Sequence, residues 1–103
     1  METNEILDTS IAIERKNGTV TIFTAVEHPP VARKDFTILF PEALDYVKAV
    51  EIANKLREVG KPIGAIDILI AAMCLNRSSL LITKDADFKI IQDIHGEFRL
   101  KIC

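Results

Sequence analysis

The sequence predicts an α/β protein in three layers, with a central parallel sheet of about five strands and helices on both faces. Three observations carry this expectation. Short β-branched or apolar runs alternate along the chain with stretches of helical periodicity. One run, Leu80-Leu81-Ile82-Thr83, is apolar and bounded by polar residues, as a strand buried on both faces is. One helical stretch, ILIAAMCL, is apolar almost all round and must therefore be covered. With 103 residues and 49% hydrophobic side chains, the chain is expected to form one domain over residues 1–103 and to bury roughly two-thirds of its unfolded surface. No repeat, low-complexity tract or linker divides it.

Taken in order, Glu5-Ile6-Leu7-Asp8 reads as a first strand, with Thr9 or Ser10 placed to cap the next helical turn. Ile11, Ala12 and Ile13 suggest one or two such turns before Asn17-Gly18. The run TVTIFT at 19–24 is β-branched and aromatic and is expected to be a second strand. Pro29-Pro30 breaks the chain, and Phe36, Ile38 and Phe40 alternate along a third strand closed by Pro41. From Glu42 to Val59, Leu44, Val47, Ala49, Ile52, Ala53, Leu56 and Val59 recur at helical spacing, and Gly60 and Pro62 supply the stop. A second helix is expected over residues 66–76. After the strand 80–83 come a short helix over 85–91 and a last strand in which Phe98, Leu100 and Ile102 alternate. The stretches 9–19 and 25–35 are barely the dozen residues that a parallel crossover uses.

Composition narrows the function classes. Thirteen Lys and Arg against fifteen Asp and Glu give a net charge of -2, which offers no broad electrostatic grip on nucleic acid. Cys74 and Cys103 make neither a disulfide framework nor a metal-ligand spacing, so a reducing, cytoplasmic setting is expected. No apolar stretch reaches the roughly 18–20 residues that span a bilayer, and METNEILD is too acidic and polar for a secretory signal, so no membrane is expected. Five Phe, one Tyr and no Trp argue against a base-stacking platform.

The residues that carry chemistry are acids. In an open parallel sheet the site lies beyond the carboxyl ends of the strands. There Asp8 ends the first strand, Glu27 follows the second, Asp85 and Asp87 follow LLIT, and Asp67 opens the helix that leads into it. Carboxylates brought together repel one another unless a cation shares them, and hard oxygen donors suit Mg²⁺ or Mn²⁺. Such a site hydrolyses phosphodiesters. Each acid taken alone has an equal structural reading: Asp67 and Asp85 as helix caps, Thr24-x-x-Glu27 as a capping box, Asp87 as a solvated charge. Jointly the mapping to one sheet edge favours the site.

Three motifs in order, ILDTS at 6–10, PIGAIDILIAA at 62–72 and LLITKDADF at 80–88, resemble the PIN domain, in particular the VapC-like toxins of bacteria and archaea. The resemblance covers the first dozen residues and nearly everything from Phe36 onward. It implies a five-stranded parallel sheet, a Mg²⁺- or Mn²⁺-dependent endoribonuclease acting as the toxin of a toxin–antitoxin pair, and a cognate antitoxin that covers the site. A homodimer is also implied. On matched positions Asp8 is the first metal ligand, Asp67 the third acid and Asp85 the fourth, with Asp87 assisting. Ser10 and Thr83 occupy hydroxyl positions that would orient carboxylates or water. Glu27 is assigned as the second acid, with Glu14 as its substitute. Family members are longer and carry a substantial helix after the second acid, whereas here His28-Pro29-Pro30 comes at once and excludes one. The clamp for RNA and the dimer surface that the family builds there are expected to be reduced.

Other residues read more plainly. Arg15, Lys16 and Lys84, with Arg33-Lys34, fall after expected strand ends and could contact RNA phosphates, although a solvated charge is the default for each. His28 and His95 are expected to be loop histidines and Cys74 a core residue. The leading expectation is thus a metal-dependent ribonuclease toxin. The alternatives are a shortened, non-catalytic PIN-like module for protein or RNA interaction, and a DNA nuclease.

Overall fold

The computed structural model describes residues 4–103. Five strands alternate with helices: β1 Glu5–Leu7, α1 Thr9–Ala12, β2 Asn17–Thr21, α2 Ile22–Glu27, a 3₁₀ turn at Pro29–Arg33, β3 Asp35–Leu39, α3 Ala43–Glu58, α4 Ala65–Arg77, β4 Leu80–Thr83, α5 Phe88–Ile94 and β5 Arg99–Ile102. All strand pairings are parallel, as the alternation of elements predicts. β4 lies between β1 and β5 in one sheet, and β2 pairs with β3 in a second. β2 packs beside β1 without joining its ladder, so the five strands array in the order 3-2-1-4-5.

Alternation along the strands divides the interior into two cores. Ile6 pairs with Leu81, and both face a layer made by Ala49, Ile52 and Leu56 of α3, the apolar face of α4, and Phe88 and Ile91 of α5. Leu7 pairs with Ile82, and both face the opposite layer, with Ile11 and Ala12 of α1, Val20 of β2 and Val31 of the 3₁₀ turn. Each fully buried aliphatic side chain contributes about 1.5–3 kcal/mol. A one-residue slip of β1 would exchange the two cores, so the register of the sheet is fixed from both sides.

Five sequence expectations need correction. The run TVTIFT is not one strand: β2 ends at Thr21, which takes an extended N-cap conformation, and α2 begins at Ile22. Phe23 packs on the larger core and Thr24 is fully buried, so tertiary contacts override the β-propensity of the run. Thr24 therefore lies inside α2, and no capping box joins it to Glu27. In α3, Leu44, Val47 and Val59 are 72%, 65% and 50% exposed rather than core, and only Ala49, Ile52 and Leu56 of the predicted stripe are fully covered. Finally, α5 begins at Phe88 rather than Asp85, and Asp8, not Thr9 or Ser10, stands at the N-cap of α1. The proline break is as expected: α2 ends at Glu27, and Pro29 opens a single 3₁₀ turn.

Candidate active site

The ends of β1 and β4 are tied together by a hydroxyl. Asp8 follows β1 directly, and its N–H continues the strand pairing to the Ile82 carbonyl at 2.9 Å. Thr83, the last residue of β4, is buried and donates its hydroxyl proton to Asp8 Oδ2 at 2.7 Å. The same Thr83 Oγ1 accepts the Asp85 N–H at 3.0 Å. The backbone after β4 is thereby turned so that Asp85 and Asp8 stand at the same edge. Asp85 Oδ1 accepts the Asp87 N–H at 2.9 Å, a local turn that ends before α5, and Ser10 Oγ accepts the Lys84 N–H at 3.3 Å.

Asp67 arrives from α4. The N-cap there is Gly64, with no side-chain cap bond, so Asp67 lies in the first turn and does not fill the cap position. Its carboxyl is pushed up to about 6, first by burial and then by the charges of Asp8, Asp85, Glu27 and Asp87 in that order. Four carboxylates from three other parts of the chain thus act on Asp67, and burial makes its ionised form costly. Glu27, the last residue of α2, lines with Gly64, Ala65, Ile66 and Asp67 an open pocket of about 360 Å³. Thr9 Oγ1, in α1, lies 3.0 Å from Thr24 Oγ1 and 3.3 Å from Glu27 Oε1.

Among the described residues, no three His, Cys, Asp or Glu side chains close to the distances of a metal shell. The charge proximity around Asp67 and this open spacing are compatible, because anionic groups hold apart until a cation neutralises them. The donors are all hard oxygens, which fit Mg²⁺ or Mn²⁺ and would fit a soft metal poorly.

The other predicted residues surround this cluster at greater remove. Asp87 is exposed at the rim. Lys84 pairs with Glu14 across the edge of the site, so Glu14 is engaged with a cation and stands outside the group acting on Asp67. Arg15 and Lys16 are exposed just after α1. His28 comes directly after α2, and His95 is buried at the end of α5 with Nδ1 3.3 Å from Glu97 Oε1. Neither is among the groups acting on Asp67. Cys74 is core, its thiol pushed up to about 12 by burial, which rules out a thiolate nucleophile at neutral pH. Sequence reasoning misses the hydroxyl pair Thr9 and Thr24. The spacing T-x-x-E carries a signal for it, but the same spacing reads equally well as a cap.

The PIN domain family profile matches residues 30–94, which contain Asp67, Asp85 and Asp87; Asp8 and Glu27 lie outside that stretch. No curated protein matches. Among solved structures, a chain of VapBC-5 from Mycobacterium tuberculosis, a member of the VapBC family of toxin–antitoxin systems, is similar at 20% identity. The match covers 97% of this chain and 99% of that one, with a TM-score of 0.78. A chain of VapBC2 from Rickettsia felis, bound to a DNA fragment from its promoter, is similar at 17% identity, covering 95% and 97%, with a TM-score of 0.75. A chain of DNA-bound VapBC from Salmonella typhimurium is similar at 18% identity, covering 99% and 98%, also with a TM-score of 0.75. At these identities the likeness is one of fold. Because the family profile spans well over half of the sequence, this chain belongs to the PIN domain family.

Proposed function

We propose that this protein is a Mg²⁺- or Mn²⁺-dependent endoribonuclease, the toxin of a two-protein toxin–antitoxin pair, and that it hydrolyses RNA phosphodiester bonds in the cytoplasm. The observation that carries the reading is the convergence of Asp8, Glu27, Asp67 and Asp85, from separate elements, on one edge of a parallel sheet. PIN membership and the toxin–antitoxin systems among the structural neighbours support it.

In this reading Asp8, Asp67 and Asp85 hold the cation and Asp87 assists at the rim. When bound, a divalent cation supplies electrostatic stabilisation of the charge that builds on the phosphodiester and its leaving oxygen. The chain's own contribution is placement. Thr83 fixes Asp8 through its hydroxyl and turns the Asp85 backbone with its oxygen, and Ser10 anchors the Lys84 amide. Glu27 stands beside Asp67 on the same pocket with an exposed carboxylate that is no direct ligand in this reading but adds its charge to the field that holds the cation, and that can orient water or take a proton. Arg15 and Lys16 offer cationic contacts for RNA phosphates at the rim, and Lys84 can do so once it exchanges Glu14 for phosphate. The antitoxin would cover the acidic edge, with an Arg or Lys in place of the cation. A second copy of the chain is the expected homodimer partner.

The second reading is a non-catalytic PIN-like module, and the open spacing of the acids favours it. Cleavage of structured and single-stranded RNA in Mg²⁺, then with EDTA, separates the two. Cleavage that needs the metal and is absent in EDTA is the expected result; equal cleavage with EDTA, or none under any condition, overturns the enzyme reading.

A further inference from the structure

We propose that Thr9 is a positioning residue for the Glu27 carboxylate, with buried Thr24 as its anchor. The proposal rests on Glu27 being a member of the acidic site.

Glu27 needs such a device. It closes a six-residue helix that Pro29 prevents from continuing, and its side chain is exposed. A Glu side chain there has three free rotors, and the carbonyl end of α2 carries partial negative charge that repels a carboxylate. Glu27 also adds to the charge that acts on Asp67, so repulsion from the other acids drives it outward. Left to itself it would spend its time in solvent.

Thr9 opposes this. Its Oγ1 lies 3.3 Å from Glu27 Oε1 and 3.0 Å from Thr24 Oγ1. A carboxylate only accepts, so the single Thr9 proton goes to Glu27, which leaves a lone pair of Thr9 Oγ1 for the Thr24 hydroxyl proton. Thr24 is fully buried in the helix that bears Glu27, while Thr9 opens α1, one residue after Asp8. The wire therefore starts at a fixed, dry anchor on α2, crosses to α1 and returns to Glu27. It sets the spacing between the acid of α2 and the acid of β1, which the backbone does not connect at that point.

The test uses the full-length protein with Thr9→Val, Thr9→Ser, Glu27→Gln and the Thr9→Val/Glu27→Gln double variant. The readouts are Mn²⁺ affinity, from the dependence of melting temperature on Mn²⁺, and kcat and KM for RNA cleavage. Removing an outer partner of a metal-site residue typically weakens metal affinity or activity about 10–100-fold. The expected result is a loss of that order for Thr9→Val, falling on Mn²⁺ affinity and kcat rather than KM, with melting in EDTA close to wild type. Thr9→Ser, which keeps the hydroxyl, restores wild-type values, and Thr9→Val adds nothing in the Glu27→Gln background. If Glu27→Gln is impaired while Thr9→Val behaves as wild type, or if the two losses multiply in the double variant, the positioning role is overturned and the site reading stands. If Glu27→Gln keeps wild-type Mn²⁺ affinity and cleavage, both fall together.

Discussion

Asp67 is the residue at which the structural and functional readings diverge most sharply. It lies in the first turn of α4, where a carboxylate gains about 0.3–1 kcal/mol from the helix N-terminus. Against that gain stand partial burial and the charges of Asp8, Asp85, Glu27 and Asp87, which together push its carboxyl up to about 6. Asp67→Asn keeps the shape and removes one repelling charge. The metal-free variant is therefore expected to melt higher than wild type in EDTA, by about 4–8 °C for each kcal/mol relieved in a domain of this size. Its stabilisation by Mn²⁺ should shrink and its cleavage should collapse. Paired melts in EDTA and in Mn²⁺, with a cleavage assay on both proteins, make the comparison. A variant that melts lower in EDTA and still cleaves at the wild-type rate retires Asp67 from the site. The aspartates are legible in the sequence because each follows or opens an apolar run. Of the hydroxyls that hold the acids, Thr83 is legible and Thr9 is not, since a threonine beside an acid has many local uses and its partner is set by tertiary distance.

At the scale of elements, α3 and α4 are clasped by an acid that the periodicity of α3 does not single out. Asp45 is 1% exposed and accepts the Glu42 N–H at 2.7 Å, the Asn76 amide at 2.9 Å and both Arg77 guanidinium nitrogens at 3.0 Å. Burial raises its carboxyl, but the bonds from Arg77, the Glu42 backbone and Asn76 outweigh burial and hold it below its ordinary value. A lowered folded value means that the charge stabilises the fold above the unfolded value of 3.8 and that this contribution fades as pH falls through the lower folded value. Asp45→Ala strands Arg77 and is expected to cost about 3–5 kcal/mol at pH 7, with the gap to wild type narrowing in acid. Urea unfolding at neutral and acidic pH measures it; a constant gap between the two would show that the charge is not what stabilises. Sequence reading finds α3, α4 and the strands 5–7 and 80–83 closely because their patterns have one period and clear stops. It fails at 19–24 because five β-branched residues and a Phe favour a strand locally, while the fold needs a turn there to bring Glu27 back to the sheet edge. It also overcounts the core of α3, since an apolar residue at helical spacing does not reveal which side is covered.

At the scale of the whole molecule, the acids belong to two halves that meet along β1 and β2. Asp8 and Asp85 extend β1 and β4 of the three-stranded sheet, whereas Glu27 rides on α2, which grows directly from β2 of the other sheet. The seam is closed by Gly18, in β2, whose φ of +139° is one that side-chain-bearing residues rarely adopt, and where a Cβ would stand 2.7 Å from Leu7 Cδ1. Leu7 is buried with Val20 and Ile82, so it has little room to yield. Gly18→Ala must either strain β2 or push it away from β1, at a cost of about 1–3 kcal/mol. Either adjustment also separates Glu27 from Asp8 and Thr9. The variant should therefore melt lower and, beyond that, gain less from Mn²⁺ than wild type. Gly96→Ala is the control, since a Cβ there meets nothing within 4 Å and its melting and Mn²⁺ response should stay near wild type. If Gly18→Ala loses stability while its Mn²⁺ shift is undiminished, the two halves fold together but the seam does not set the geometry of the acids. If it melts like Gly96→Ala, the close approach of β1 and β2 carries no strain.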